Sequence, residues 1–544
     1  MASRTNVTNY LIEPGTNKAR HPATMGSSLS VNMFKETNDS NVYLASVPGL
    51  KYMGDIAKGK RCRGAYVSSV GRAVRNQQEE AFVVYGNHVY RIDYANHIFD
   101  IGEIASGSSR VSFAETGGIR PFLLIADGSN LWAYDLLEGG TIRQVALPAR
   151  VTGNGGMIAP SSVAVIAGSV CINDTGSGFV YYSVPYPLNS DEREVFDIVN
   201  GEVQYEEDNP LKVKTKKVDA FTYMFLDDYG VQQYFNAETS SDSIVKIAAI
   251  GANLYLFGKK TIEIWQRGSG EYETWIRTSF TTNASNGLAA PYSVAICGSN
   301  LYYLGSGESY AKGVLSVSGQ TYTKISDDWL DQKLLGESND STFAFAYAVG
   351  SHNFYVLQLM TIGETWVYDL DSKEWHQRVS RNLNTLDEVR WRPSAMVWWR
   401  NQFIAFCDDG CWYNHTEDYW WEDFGARNDN TKRLPMTRHR QGAVVVDNNK
   451  PFIFNELAIE MNVGTWEDYG EVPRMLLQVS ANGGMSFGNT RSCPIGKTGL
   501  YGYRVRFHNL GYNRLCVLRV TYSHPTSLEL TACSQRITST NGVI

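Results

Sequence analysis

The stretch "VVYGNHVYRID", residues 83–93, sets an apolar run on each side of a Gly-Asn turn at Gly86. Both runs alternate and are rich in Val, Tyr and Ile, the composition of half-buried strands, so the stretch reads as a hairpin. The same shape recurs along the chain. "LLIADGSNLWAYDL" turns at Gly128, "VAVIAGSVCIN" at Gly168, "AAIGANLYLFG" at Gly251, "VAICGSNLYYLG" at Gly298, "AYAVGSHNFYVLQL" at Gly350 and "MVWWRNQFIAFCDDG" near Asn401. From Gly86 the successive gaps are 42, 40, 83, 47, 52 and about 51 residues. Most match a four-stranded propeller blade, roughly 40–50 residues. One small sheet cannot bury both faces alone, whereas sheets stacked radially around an axis bury them all and leave only short edges. Six or seven blades are therefore expected between about residues 55 and 425. A pair of β-sandwiches would also yield short strands with frequent turns, but the spacing favours the propeller.

The outer half of a blade shows in "TWVYDLDSKEWHQRV", residues 365–379, with Asp371 and Ser372 in the bend. The gap of 83 is the exception, and it contains a stretch without the blade pattern at residues 191–230. Its first half holds eight acids, Asp191, Glu192, Glu194, Asp197, Glu202, Glu206, Glu207 and Asp208, against Arg193. "LKVKTKK" then supplies Lys212, Lys214, Lys216 and Lys217. An insertion of that length emerges from one end of a propeller, and its plainest reading is a solvated loop with segregated charge. After "GARNDNTKR" the character changes: "FIFNELAIEMNVG", "RMLLQVSANGGMSFG", "YRVRFHNLG" and "CVLRVTYSHPTSLELTACSQRI" alternate well and suit a separate β-sandwich. In the first 50 residues "MGSSLSVNMF" and "NVYLASVPGL" look like strands that pair elsewhere in the fold. The chain thus reads as all-β, with N-terminal strands (1–54), first blades (55–190), the acidic insertion (191–230), remaining blades (231–425) and a C-terminal sandwich (435–544).

At 544 residues the chain can bury a large core, and 43% hydrophobic with 19% charged residues describes an ordinary folded protein. No run of about 18 apolar residues offers a membrane span, and "MASRTNVTNYLIEPG" lacks a signal-peptide pattern, so Sec export is not expected. A net charge of −7 argues against a protein that wraps nucleic acid, which needs a basic footprint. The eight cysteines are scattered without a CxxC and read as buried thiols. The 32 Tyr and 13 Trp favour strands and interfaces.

No catalytic, metal or cofactor site is expected. Cys407, Cys411 and His415 have metal-like spacing, but "CDDGC" is a hairpin turn and a fourth ligand is missing. There is no HExxH and no nucleophile elbow. "SANGGMSF", residues 480–487, resembles the Asp-box turn of sialidases with Asn482 in place of the aspartate, and that turn is a folding device. A propeller glycosidase would need a carboxylate pair or an arginine cluster at one end of the channel, for which no local constellation speaks. A propeller glycosidase or a sugar-binding protein is the alternative to a structural one, since Trp398, Trp399, Trp420 and Trp421 are able to stack on sugar.

Three segments together resemble one family: "VNMFKETNDSNVYLASVPGLKYMG", "YFNAETSSDSIVKIAAIGANLYLFGKKTIEIWQRGSG" and "LLQVSANGGMSFGNTRSCPIGKTGLYGYRVRFHNLGYNRLCVLRVTYSHPTSLELTACSQRI". They are similar to the packaged-DNA stabilisation, or tail hub and nozzle, proteins of short-tailed bacteriophages. The resemblance implies a homo-hexameric virion protein, made in the bacterial cytoplasm and placed below the portal and its adaptor ring. Such a protein extends the DNA channel, retains the packaged genome, carries fibres or tailspikes and meets a needle or plug protein. Double-stranded DNA would pass through without specific binding, which the negative charge suits. On this reading the eight acids and four lysines of the insertion ring the nozzle tip, the lysines pair with a neighbour's carboxylates, and the terminal segments form a platform facing the adaptor.

Overall fold

The computed structural model describes residues 3–7, 28–38, 41–68, 79–151, 156–207, 209–237, 242–268, 275–280, 286–307, 311–417, 419–426, 429, 431–447, 450–463, 472–496 and 503–540. Within them seven antiparallel blades follow one another around an axis, their first strands beginning at Cys62, Ser112, Val163, Ile244, Ala295, Phe343 and Pro393. The true repeat is therefore 50, 51, 81, 51, 48 and 50 residues, more regular than the turns suggest. The reason is a change of phase. Gly86 and Gly128 join the second and third strands of their blades, whereas Gly168, Gly251, Gly298, Gly350 and the Arg400–Asn401 pair join the first and second.

The hairpin at residues 83–93 also differs from a half-buried one. In the strand Glu80–Tyr85 every residue after Glu80 is buried. Phe82 and Val84 pack toward the second blade, against Leu123 and Tyr134. Ala81, Val83 and Tyr85 pack the other way, against Trp399, Ile404 and Trp412 of the seventh. Side chains alternate across a strand, so a blade enclosed by two neighbours needs both alternating sets apolar. A core of this kind fills the gap between each pair of adjacent blades.

The seventh blade takes its outer strand from the other end of the chain. Lys51–Asp55 pairs antiparallel with Cys411–His415, Tyr52 opposite Tyr413 and Asp55 opposite Cys411. The expected boundary at residue 54 cuts this strand, because ring closure requires hydrogen bonds from a segment made long before the blade it completes. Earlier strands of the N-terminal segment serve the sandwich. Leu29–Val31 lies parallel to Trp375–Arg381, the outer strand of blade six, and antiparallel to Arg438–Gln441. That sheet continues through Leu515–Tyr522 and Arg474–Ser480 to Arg491–Pro494, so one sheet runs from blade six into the sandwich. Met33–Asn38 and Asn41–Ser46 form a hairpin in the facing sheet, where the second pairs with Leu528–Ser539. Between the two sheets Met33 and Leu44 join Phe452, Leu457, Met461, Leu477 and Leu518 in one core. Among the described residues there is one α-helix, Asp328–Leu335, capped by the Asp327 carboxylate and packed through Leu330 and Leu334 between blades five and six.

Two buried polar side chains lock this junction. Asn32, at φ +54°, donates to the Val379 and Thr437 carbonyls at 3.0 and 2.7 Å and accepts from the Val379 amide at 3.1 Å. Arg378, fully buried, donates to Tyr347 Oη at 2.9 Å and to the Pro48 carbonyl at 3.0 Å, with its guanidinium 3.9 Å from the Trp391 ring centroid.

A third contact is ionic. His352 of blade six places Nδ1 2.8 Å from Asp369 and Nε2 3.1 Å from Glu36 of the N-terminal hairpin. Burial disfavours its charge, but the two carboxylates outweigh that and hold its pKa up to about 9, against an ordinary 6.5. A histidine raised in the folded state stabilises fully below its unfolded pKa, and that contribution is lost as pH rises through the folded value. Raising the pH from about 6.5 to above 9 should therefore lower stability by on the order of 2 kcal/mol through this residue. Thermal unfolding of wild type and His352→Gln across that range tests it: the gap between the two curves narrows as pH rises.

Candidate functional site

A lumen of about 670 Å³ is lined from all seven first strands, mostly by small apolar residues such as Ala65, Val165, Ala248 and Ala344. Lys246 also faces it, and burial, with the nearby Arg110 charge, pushes its pKa down to about 8. Arg110, from the connection between blades one and two, lies 3.9 Å from the Phe343 ring of blade six and donates to the Ser394 carbonyl of blade seven. It thus reaches over the mouth of the lumen. Glu115 is the one carboxylate in this lining among the described residues, where a glycosidase would present a pair.

What stands out from the ring is the insertion. The chain leaves blade three after its third strand, Phe179–Tyr182, and returns as its fourth, Tyr234–Asn236. In between, Glu192–Phe196 pairs with Thr215–Asp219 to form a two-stranded ribbon. Beyond it the arm forks into two short hairpins, Ile198–Val199 with Glu202–Val203 and Tyr205–Glu206 with Asn209–Val213. The base is firmly seated. Phe221, Met224 and Phe225 are buried in the core between blades two and three. Arg143 covers the Phe221 ring at 3.8 Å and reaches Asp191 and Asp219 at 3.2 and 3.5 Å. Arg120 adds a contact to Asp191 at 3.1 Å, and Arg193 pairs with Asp228 at 2.5 Å.

The four lysines find carboxylates within their own arm. Lys217 meets Glu192 at 3.4 Å, Lys214 and Lys216 meet Asp197 at 3.6 and 3.7 Å, and Lys212 meets Glu206 at 2.8 Å. Folding back as a ribbon puts the lysine run opposite the acidic run, which segregation along the sequence conceals. Exposed pairs of this kind contribute about 0–1 kcal/mol each. Among the described residues Glu194, Glu202 and Glu207 pair with no cation, and Asp208 lies outside the described residues. The arm also shows apolar side chains that its charges hide in sequence: Leu211 is 92% exposed, and Tyr205 and Val199 about half.

Cys407, Cys411 and His415 sit on neighbouring strands of blade seven. Both thiols are free and buried, and burial also pushes His415 well below its ordinary pKa, so it is a neutral core residue. The turn at 480–487 is held by its own side chains: Ser480 Oγ accepts from the Gly484 amide, and Asn482 Oδ1 from Ser486, both at 2.9 Å. Trp399 is buried, Trp420 and Trp421 are partly buried, and Trp398 is 54% exposed. The Glu36–His352–Asp369 group, which has no local signature, went unread in the sequence because its members come from distant strands.

The molecule is thus a seven-bladed propeller continuous with a sandwich, with a charged arm rising from blade three. Family models described as the β-propeller and the β-sandwich of bacteriophage P22 Gp10 match residues 225–411 and 437–538, more than half of the chain. The chain belongs to that family, the tail hub and stabilisation proteins of short-tailed phages, and is a structural component of a phage tail. No curated protein matches the sequence. Among solved structures, virginiamycin B lyase from Staphylococcus aureus is 9% identical, over 67% of this chain and 98% of that one, at a TM-score of 0.38. The N-terminal domain of Nup159 (9%; 71% and 98%; 0.36) and YCF48 from Cyanidioschyzon merolae (10%; 68% and 98%; 0.35) are similarly distant. Likenesses of that order carry nothing on what this chain does.

Because the arm's base rests on Arg143, Arg143→Ala should loosen residues 191–219 and leave the blades intact. Hydrogen exchange is the readout: at least tenfold faster exchange in the ribbon amides, with the strands of blades one and four unchanged.

Proposed function

We propose that the protein is the hub and nozzle of a short phage tail, assembled in the host cytoplasm as a six-fold ring below the portal and its adaptor. It extends the DNA channel, retains the packaged genome and anchors fibres or tailspikes, without a catalytic step, metal or cofactor. Membership of the Gp10 family is the observation that carries this reading. In such a ring DNA runs along the shared axis, between subunits and past their outer surfaces. A ring of identical subunits closes through head-to-tail contacts. The experiment is the copy number in the assembled tail, by imaging or native mass spectrometry, expected to be six.

In this reading the arm stands at the distal tip. Residues 191–230 hold eleven acidic and five basic residues, so each arm brings a net negative charge to the exit even after its internal pairs are counted. Like charge keeps a phosphate backbone from sticking, most strongly at low salt. Replacing Glu206, Glu207 and Asp208 together by lysine should slow genome ejection several-fold at low ionic strength, with particle yield unchanged. Ejection kinetics that match wild type at low and moderate salt would place the arm away from the DNA.

A further inference from the structure

In a four-stranded antiparallel blade, the turn between strands one and two and the connection between strands three and four lie at the same end. The arm, inserted between the third and fourth strands of blade three, therefore rises from the face that carries the Gly350 and Asn401 turns. On that face, between blades six and seven, lies a cleft of about 610 Å³ lined by Pro48, Val349, Trp398, Phe403, Thr416 and Glu417. Its floor is aromatic, with the half-exposed Trp398 ring 5.0 Å from Phe403 in an edge-to-face contact. Glu417 stands at the rim, where it accepts the Gly350 amide at 2.8 Å. Midway between blades six and seven is three and a half steps from blade three in either direction around a seven-bladed ring. Arm and cleft thus sit on opposite sides of the axis, on one face.

We infer that the arm of one copy docks in the Trp398 cleft of the next copy around the ring. This inference rests on the ring proposed above and names the surfaces that close it. A head-to-tail contact needs two different patches on one chain, displaced so that each copy hands one to its neighbour. Here a projecting apolar tip and a concave aromatic patch are so displaced. Leu211 is 92% exposed, with Tyr205 and Val199 about half exposed on the same arm, and a leucine seated between Trp398 and Phe403 removes apolar area from water on both partners. Lys212, the residue beside it, then exchanges its Glu206 partner for Glu417 at the rim, which orients the arm. Aromatic anchors in a pocket with a polar rim are the usual centre of such an interface.

The test uses complete chains in assembled tails. Leu211→Cys is made in one chain and Thr416→Cys in another, and tails containing both are treated with a short bismaleimide. The native cysteines are buried or half-buried, so background is low. Covalent dimers are expected only in mixed tails, and chains carrying both substitutions should give a ladder up to the full ring. Separately, Leu211→Asp, a change at an exposed position that leaves thermal unfolding unaltered, should cut incorporation into tails at least tenfold. Rings that image normally but yield no cross-link, or that assemble normally with Leu211→Asp, overturn the docking while the ring reading stands. Tails with no ring of this protein overturn both.

Discussion

The Asn32 side chain holds blade six and the sandwich at once, through three hydrogen bonds to Val379 and Thr437. Around it, the 27 residues from Leu29 to Asp55 do three jobs in order: they bridge the two domains, fill out the sandwich, and close the propeller. Everything else in the molecule presumes that this segment is in place. Without Lys51–Asp55 the seventh blade lacks its outer strand. Without Leu29–Val31 the sheet that runs out of blade six stops short of the sandwich. Buried polar groups at such a junction cost much if left unpaired and specify one arrangement when satisfied. Arg378 ties the same pieces together: its two terminal nitrogens donate to Tyr347 of blade six and Pro48 of the N-terminal segment while its plane rests on Trp391.

The propeller was legible because its physics is repetitive. A blade with two neighbours must be apolar on both faces, so strands such as FVVY at 82–85 and FLLIA at 122–126 stand out in any pass along the chain. The phase was not legible. A Gly turn looks alike whether it joins strands one and two or strands two and three, and only the partners of Gly86 and Gly168 distinguish them. The donated outer strand was illegible for a stronger reason: nothing in KYMGD at 51–55 says that it will lie against CWYNH at 411–415. Its partner is remote, and its own pattern is only that of some strand.

The arm divides in the same way. Its existence and its charge followed from a break in the repeat. Its pairing did not, because an acidic run followed by a lysine run describes a loop as well as a ribbon. Once folded as a ribbon, Lys217 faces Glu192 and Lys212 faces Glu206, and the feature left exposed is apolar, at Leu211, Tyr205 and Val199.

Ring closure by a strand from the start of the chain sets an order of events during translation. A ribosome delivers residues 51–55 first, yet they have nowhere to go until residues 411–415 emerge, and residues 41–46 wait still longer for 528–539. Strands 41–46 and 51–55 are thus among the last to find their partners. Contacts so distant in sequence also make for slow folding. A copy that ends before residue 411 keeps an open seventh blade, and one that ends before residue 528 leaves the hairpin at 33–46 without its partner strand in the sandwich.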